Sequence, residues 1–239
     1  MLYFQTYTQN LAAFEKMLES LDLQKPDAVY CLGDLVGYNV WLNEIIEQIR
    51  RRRIATIAGN HDAKVKNLSV KQLEEPGRNY GYKIIEEKNK KYLATLPAHI
   101  RIEFQLNNVP LNILLVHGSP QRNNEYLLED KPEVEFLEIF KKANADILCF
   151  GHSHKSYHRV FNSMNENKNH FRHAINIGSV GKPKDGNPQG CYVILTLHQY
   201  RNTFIEQSID VDFVRFDYDI EKAGAAIEES PLPDEFADM

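Results

Sequence analysis

The chain is short of cysteine, has one tryptophan, carries no basic excess and contains no long apolar run. Each shortage removes a class of protein. Cys31, Cys149 and Cys191 stand inside apolar runs, odd in number and without a CxxC pair. That pattern argues against a disulfide framework or a thiolate zinc site, and for buried reduced thiols in a cytoplasmic protein. Asp and Glu (33) outnumber Lys and Arg (28), for a net charge of −5, so no dedicated nucleic-acid binding is expected. The run Arg50 to Arg53 closes a helical pattern, where cations complement the helix dipole on a solvated face. No apolar run approaches the roughly 18 residues of a membrane span, and no basic-then-apolar leader is present. Repeats, low-complexity blocks and linkers are also missing, and composition leaves the oligomeric state open.

What is present is a globular chain of 239 residues, 43% hydrophobic and 26% charged, long enough for one large core. Residues 1–227 read as a single domain. Residues 228–239, acidic and broken by Pro231 and Pro233, read as a loose C-terminal tail. Asn10 caps an amphipathic helix carrying Leu11, Phe14, Met17, Leu18 and Leu21. The strand Ala28 to Leu32, the helix Trp41 to Arg53 and the strand Ile54 to Ala58 make a βαβ crossover. Ile100 to Leu106 alternates as a half-buried strand does, and Asn107-Asn108 turns it into Leu111 to Val116. A helix from about Pro132 to Ala143 precedes Ile147 to Phe150. Further strands are expected at Ser156 to Phe161, Phe171 to Ile177, Cys191 to Leu197 and Phe204 to Val211. The class is α/β.

The apolar runs end in metal-binding side chains: Asp34, then Asn60-His61-Asp62, then His117, then His152 and His154. Sites in α/β sheets form at such strand ends. Residues two apart on an extended segment point the same way, so His152 and His154 are expected to face one point. A carboxylate can bridge two divalent cations, a side-chain carbonyl supplies a hard oxygen, and imidazoles fill the remaining positions. Two cations about 3.5–4 Å apart generate a hydroxide near neutral pH and hold both oxygens of a phosphoryl displacement. His61 is placed to protonate the leaving oxygen, with Asp62 orienting its ring. Asn176 and Ser179, in the turn Asn176 to Pro183, are candidates for positioning substrate, and Lys182 and Lys184 for neutralising a phosphate.

The motifs Gly33-Asp34-Leu35-Val36-Gly37-Tyr38, Gly59-Asn60-His61-Asp62, Val116-His117-Gly118, Gly151-His152-Ser153-His154 and Asn176 to Pro183, in this order, resemble those of the calcineurin-like metallophosphoesterase superfamily, within it the small bacterial and archaeal phosphodiesterases. The resemblance implies a four-layer sandwich of two packed mixed β-sheets flanked by helices. It implies two divalent ions (Mn, Fe, Zn or Ni), with Asp34 bridging both, Asn60, His117 and His152 on one, His154 on the other, and His61 facing substrate. The implied activity is hydrolysis of a phosphodiester, nucleotide or phosphoprotein by a metal-bound hydroxide.

One family motif is missing. Alignment on Asn10 sets Thr6 and Thr8 where the family carries Asp-x-His. One ion site thereby loses two ligands, so one metal or none is expected in this chain. Two explanations stand open. The chain is a natural variant, or its reading frame is displaced: Phe-Ser-Asp-Ile-His-Ser written as TTT TCA GAC ATA CAC TCA and read one nucleotide late becomes Phe-Gln-Thr-Tyr-Thr-Gln, the residues Phe4 to Gln9. The alternative function is a non-catalytic scaffold of the same fold that binds a nucleotide or protein partner.

Overall fold

The structure, a computed structural model, describes residues 2–4, 10–37, 40–68, 79–164 and 168–237. Short apolar runs form the parallel centre of a first sheet: β1 (Leu2–Phe4), β2 (Val29–Cys31) and β3 (Ala55–Thr56). The strands β9 (Gly190–Leu197) and β10 (Ile209–Phe216) add to it antiparallel, giving the order β10-β9-β1-β2-β3. The second sheet contains β4 (His99–Leu106), β5 (Val109–Val116), β6 (Ile147–Phe150), β7 (Tyr157–Asn162) and β8 (Phe171–Asn176) in the order β4-β5-β6-β8-β7. Its β5, β6 and β8 run parallel. β6 is buried at every position, as a strand covered on both faces must be, whereas the edge strand β4 alternates. Asn107 and Asn108 both adopt positive φ, the backbone of a type I′ turn, and close the β4–β5 hairpin.

Leu32, Ile57, Ile113, Leu115, Cys149, Ile175 and Val193 fill the space between the sheets. On the far face of the first sheet lie α1 (Leu11–Gln24), α2 (Leu42–Arg51) and α5 (Glu87–Thr95), through Phe14, Met17, Ile46 and Leu93. On the far face of the second, α6 (Glu133–Ala143) sets Phe136 and Phe140 against Phe150, Phe161 and Ala174. The layers therefore run helix, sheet, sheet, helix. Each fully buried aromatic or aliphatic side chain stabilises this arrangement by about 1.5–3 kcal/mol before chain entropy is counted. Two short helices, α3 (Asn60–Lys64) and α4 (Tyr80–Lys83), border the strand ends, and α7 (Ile220–Glu228) packs beside α1.

Two sequence expectations need correction. The final strand begins at Ile209 rather than Phe204, because Phe204 and Ile205 lie in an exposed turn held by Asn202. The C-terminal segment is not loose over residues 228–237: Leu232 and Phe236 bury themselves with Ile227 against Val40 and Tyr80, and the Phe236 carbonyl accepts from Lys182 Nζ at 3.2 Å. Two apolar anchors outweigh the acidic composition of that stretch. The arginine run closes α2 on a solvated face as expected: all four residues are exposed, with Arg52 bonded to Asp22 and Arg50 over the Tyr92 ring.

Across the β7–β8 pair of the second sheet, His158 Nε2 and His173 Nδ1 lie 3.0 Å apart, and His173 Nε2 meets Ser208 Oγ at 3.2 Å. Burial pushes His158 down to about 4 and, with the neighbouring His158, His173 down to about 3. Both values lie below the unfolded one, so the unfolded chain binds protons first as pH falls. Stability is whole above about pH 6.5 and declines through pH 4. The contribution of these histidines to the unfolding free energy in urea is expected to fall by roughly 2 kcal/mol each between pH 7 and pH 5. The double variant His158→Gln with His173→Gln is expected to flatten that slope.

Candidate metal centre

The parallel strands of both sheets deliver their C-terminal ends to one edge, and the ligand candidates gather there. Asp34 follows β2, Asn60 follows β3, His117 follows β5 and His152 follows β6. His117 joins the sheets: its Nδ1 bonds the Leu32 carbonyl at 2.7 Å, which leaves Nε2 for the site. That nitrogen lies 3.0 Å from Asn60 Oδ1 and 3.2 Å from Asp34 Oδ2. Ligand atoms of Asp34, His117 and His152 all lie within 4.8 Å of one another, every residue buried. His154 falls outside this group. It is fully buried and its Nδ1 bonds the Lys182 carbonyl at 2.8 Å.

The extended-spacing argument for His152 and His154 fails, because β6 ends at Phe150 and both histidines adopt left-handed backbone, φ 66° and 61°. Asp34 does the same at 57°. Such a conformation costs roughly 1–2 kcal/mol for an L-residue, and its repetition at three candidate ligands is the pattern of backbone strain held at a functional site.

Asp62 also departs from expectation. Its carboxylate accepts N–H bonds from Asp34, Leu35 and Gly59, each at 2.8 Å, so it clamps the Asp34 loop to the Asn60 turn. His61 is oriented instead by Tyr82, whose hydroxyl lies 2.7 Å from Nδ1. The backbone N–H of His61 donates to Asp34 Oδ1 at 3.0 Å. Two glycines permit this interlock. A Cβ on Gly33 would stand 2.3 Å from Gly59 N, and one on Gly59 would stand 2.1 Å from Asp34 Oδ1. Gly59→Ala is therefore expected to part the loops, lowering stability by roughly 2–4 kcal/mol in urea titration and abolishing metal binding. Gly186→Ala, with nothing within 4 Å, is the control that carries backbone strain alone.

The electrostatics favour ligation. Burial opposes ionisation of Asp34, but the charge and hydrogen bond of His117, with help from His61, hold its carboxyl well below the usual range. Burial and then the Asp34 charge push Asp62 up to about 7, against the Gly59 and Leu35 N–H groups. Burial opposes a charge on His117, yet Asp34 holds the imidazole above its ordinary value. The proton that Asp34 and Asn60 draw to Nε2 stands where a divalent cation would be held, and cation binding releases it. Burial and the nearby His117 push His152 down to about 4, and burial with Lys184 holds His154 far below the ordinary range. Neutral imidazoles are the ligating form. A carboxylate, an amide oxygen and two imidazoles thus fit a borderline divalent ion such as manganese, iron or zinc.

Asn176 and Ser179, expected beside substrate, are fully buried and spent on the loops. Asn176 Nδ2 donates to Gly151 O and Ser153 Oγ, its Oδ1 accepts from Gly178 N, and Ser179 Oγ accepts from Lys182 N. Lys182 reaches the C-terminal turn, and the exposed Lys184 is a cation felt by Asp34 and His154. Sequence reasoning missed two residues. Tyr82 was one apolar position in a polar helical stretch, and Tyr126, in an unremarked loop, stacks on the His152 ring at 4.3 Å and 15°. Thr6 and Thr8 lie outside the described residues.

Residues 8–200 match the calcineurin-like phosphoesterase superfamily domain. An uncharacterised protein of Methanocaldococcus jannaschii is 30% identical over 244 aligned positions, covering 94% of this chain and 90% of that one. Among solved structures, a metallophosphoesterase from Sphaerobacter thermophilus superposes with a TM-score of 0.74 at 24% identity, over 99% of this chain and 96% of that one. A hypothetical protein from Pyrococcus horikoshii gives 0.75 at 18% identity, over 100% and 96%. With the motif order, the two-sheet fold and the convergent ligands, the domain match shows that this chain belongs to the calcineurin-like phosphoesterase superfamily.

Proposed function

We propose that this chain is a cytoplasmic, metal-dependent phosphoesterase acting on a phosphodiester, nucleotide or other phosphorylated substrate. The observation that carries the reading is the meeting of Asp34 Oδ2 and Asn60 Oδ1 at His117 Nε2, with His61 bonded to the same carboxylate through its backbone. Asp34, Asn60, His117 and His152 would hold one cation, and His154 with Asp34 would reach a second. When bound, such ions polarise the phosphoryl group and supply a nucleophile near neutral pH. Asp62 keeps the Asp34 and Asn60 loops in register. Tyr82 holds His61 by Nδ1, which leaves Nε2 to protonate the departing oxygen. Burial first, then Lys64, His117 and Lys184, press His61 below its ordinary value. The negative charge of an arriving phosphoryl group restores its proton, tying acid catalysis to an occupied site. No helix among the described residues is long and apolar enough to cross a membrane.

Bis-p-nitrophenyl phosphate with manganese, alongside elemental analysis, tests the reading. Metal-dependent turnover is expected. His61→Asn is expected to lower kcat about 10²–10⁴-fold, the usual worth of a general acid. Tyr82→Phe should cost about 10–100-fold with little change in KM. Adding Tyr82→Phe to His61→Asn should cost nothing more, since the tyrosine acts through the imidazole. The second reading, a non-catalytic scaffold, draws on Thr6 and Thr8. No turnover from the wild-type chain or from one with Asp and His restored at those positions would favour it.

A further inference from the structure

Tyr126 is 56% exposed, yet it is not loosely placed. Its ring lies parallel to the His152 imidazole, and both chain neighbours are pinned. On one side, Ser119 Oγ bonds the Glu125 carboxylate and accepts from the backbone N–H groups of Gln121 and Arg122. A Cβ at Gly118 would meet the carbonyls of Arg122, Asn123 and Glu125, each at 2.8 Å, so the loop winds tightly at its root. On the other side, Leu127 is fully buried and its carbonyl accepts from the Tyr157 hydroxyl at 2.8 Å. An aromatic ring is thus held with one face on a candidate metal ligand and the other turned to solvent. The exposed Leu128 lies two residues on and lines a cavity of about 430 Å³ with Glu129, Asp130, Ser153, Lys155 and Tyr157. Ser153 stands between His152 and His154. Beyond the ring the surface is therefore mixed, apolar at Leu128 and charged at Glu129, Asp130 and Lys155.

Resting on the phosphoester reading, we infer that Tyr126 is a specificity-determining wall that stacks a planar aromatic ring carried by the substrate's organic group. A preorganised ring gives up little freedom on stacking and accepts any π-face, whether aryl or nucleobase. Support of His152 alone would not require the outer face of the ring to be open.

Isothermal titration of the full chain with manganese bound separates the possibilities. Phenyl phosphate and methyl phosphate carry the same head and differ by the ring; adenosine 5′-monophosphate distinguishes a nucleobase from an aryl source. Phenyl phosphate or the nucleotide is expected to bind about tenfold more tightly than methyl phosphate. Tyr126→Ala should erase that gap and Tyr126→Phe should keep it, with manganese affinity equal in all three proteins. A gap that survives Tyr126→Ala overturns the inference. So does a fall in manganese affinity that weakens every phosphate alike, or failure of all three phosphates to bind the wild-type chain. Ring-selective binding without turnover would leave the inference standing and remove only the catalytic reading.

Discussion

Asp34→Asn is expected to abolish metal binding and to lower phosphoesterase turnover at least about a thousandfold, while the protein stays folded. The two carboxylate oxygens have separate tasks. Oδ1 accepts the His61 N–H, and Oδ2 faces His117 Nε2 at 3.2 Å. An asparagine keeps the first contact with its amide oxygen and turns its NH₂ toward the second. That nitrogen offers hydrogens and no lone pair to a cation. The backbone N–H of residue 34 still reaches Asp62, so the loop clamp survives.

Stability of the metal-free protein should fall by roughly 1–3 kcal/mol, because the buried Asp34–His117 pair that holds the carboxyl below and the imidazole above their ordinary values is broken. Asp34 and Asp62 are both buried, and the charge of the first is among the causes that push the second up to about 7. Removing one charge relieves Asp62 and offsets part of that loss, so the protein stays folded. Elemental analysis and calorimetry on the same preparation check both halves. Wild-type metal content in Asp34→Asn would contradict the ligand assignment, and an unfolded protein would contradict the division of labour between the two oxygens.

The strand ends were legible because each strand is a short apolar run stopped by a ligand-type residue. The clustering of Asp34, Asn60, His117 and His152 then follows from parallel strands delivering their ends to one edge. What escaped was set by contacts without a local signal. The Tyr82 hydroxyl meets His61 across 21 positions of sequence, and nothing in Tyr80–Lys83 distinguishes it from a packing tyrosine. Asp62 adjoins His61 in sequence, so pairing them was natural. In the folded loop three backbone N–H groups claim its carboxylate. Asn176 and Ser179 sit in a motif near the site but point inward, because Asn176 bonds the backbone at Gly151 and Gly178 and Ser179 Oγ takes the Lys182 N–H. The βαβ crossover and the Asn107-Asn108 hairpin were readable, whereas the start of β10 was not: Phe204 and Ile205 look strand-like, and only the register against β9 decides.

The largest gain is expected from Thr6→Asp with Thr8→His. Asp34 and His154 are the two ligands that the family pattern leaves to the second ion, and the second of these is well prepared. Its Nδ1 is tied to the Lys182 carbonyl, so Nε2 carries the lone pair, and burial keeps the ring neutral. One imidazole and a shared carboxylate nevertheless fall short of the four or more donors that hold such an ion. We propose, from the alignment on Asn10 alone, that a carboxylate and an imidazole at positions 6 and 8 supply the missing pair. Metal content is expected to rise from about one to about two per chain, and diesterase turnover by at least about a hundredfold, since a second cation contributes several kcal/mol of charge stabilisation. Thr6→Ala with Thr8→Ala, which adds no donor, should change neither. The source gene offers an independent check, because an intact, in-frame run of threonine codons would remove the displaced-frame explanation and leave a natural variant. A repaired chain that still binds one metal would refute the view that these positions hold the lost ligands. Two metals without turnover would instead turn the argument toward a scaffold that keeps the ion-binding frame and has given up hydrolysis.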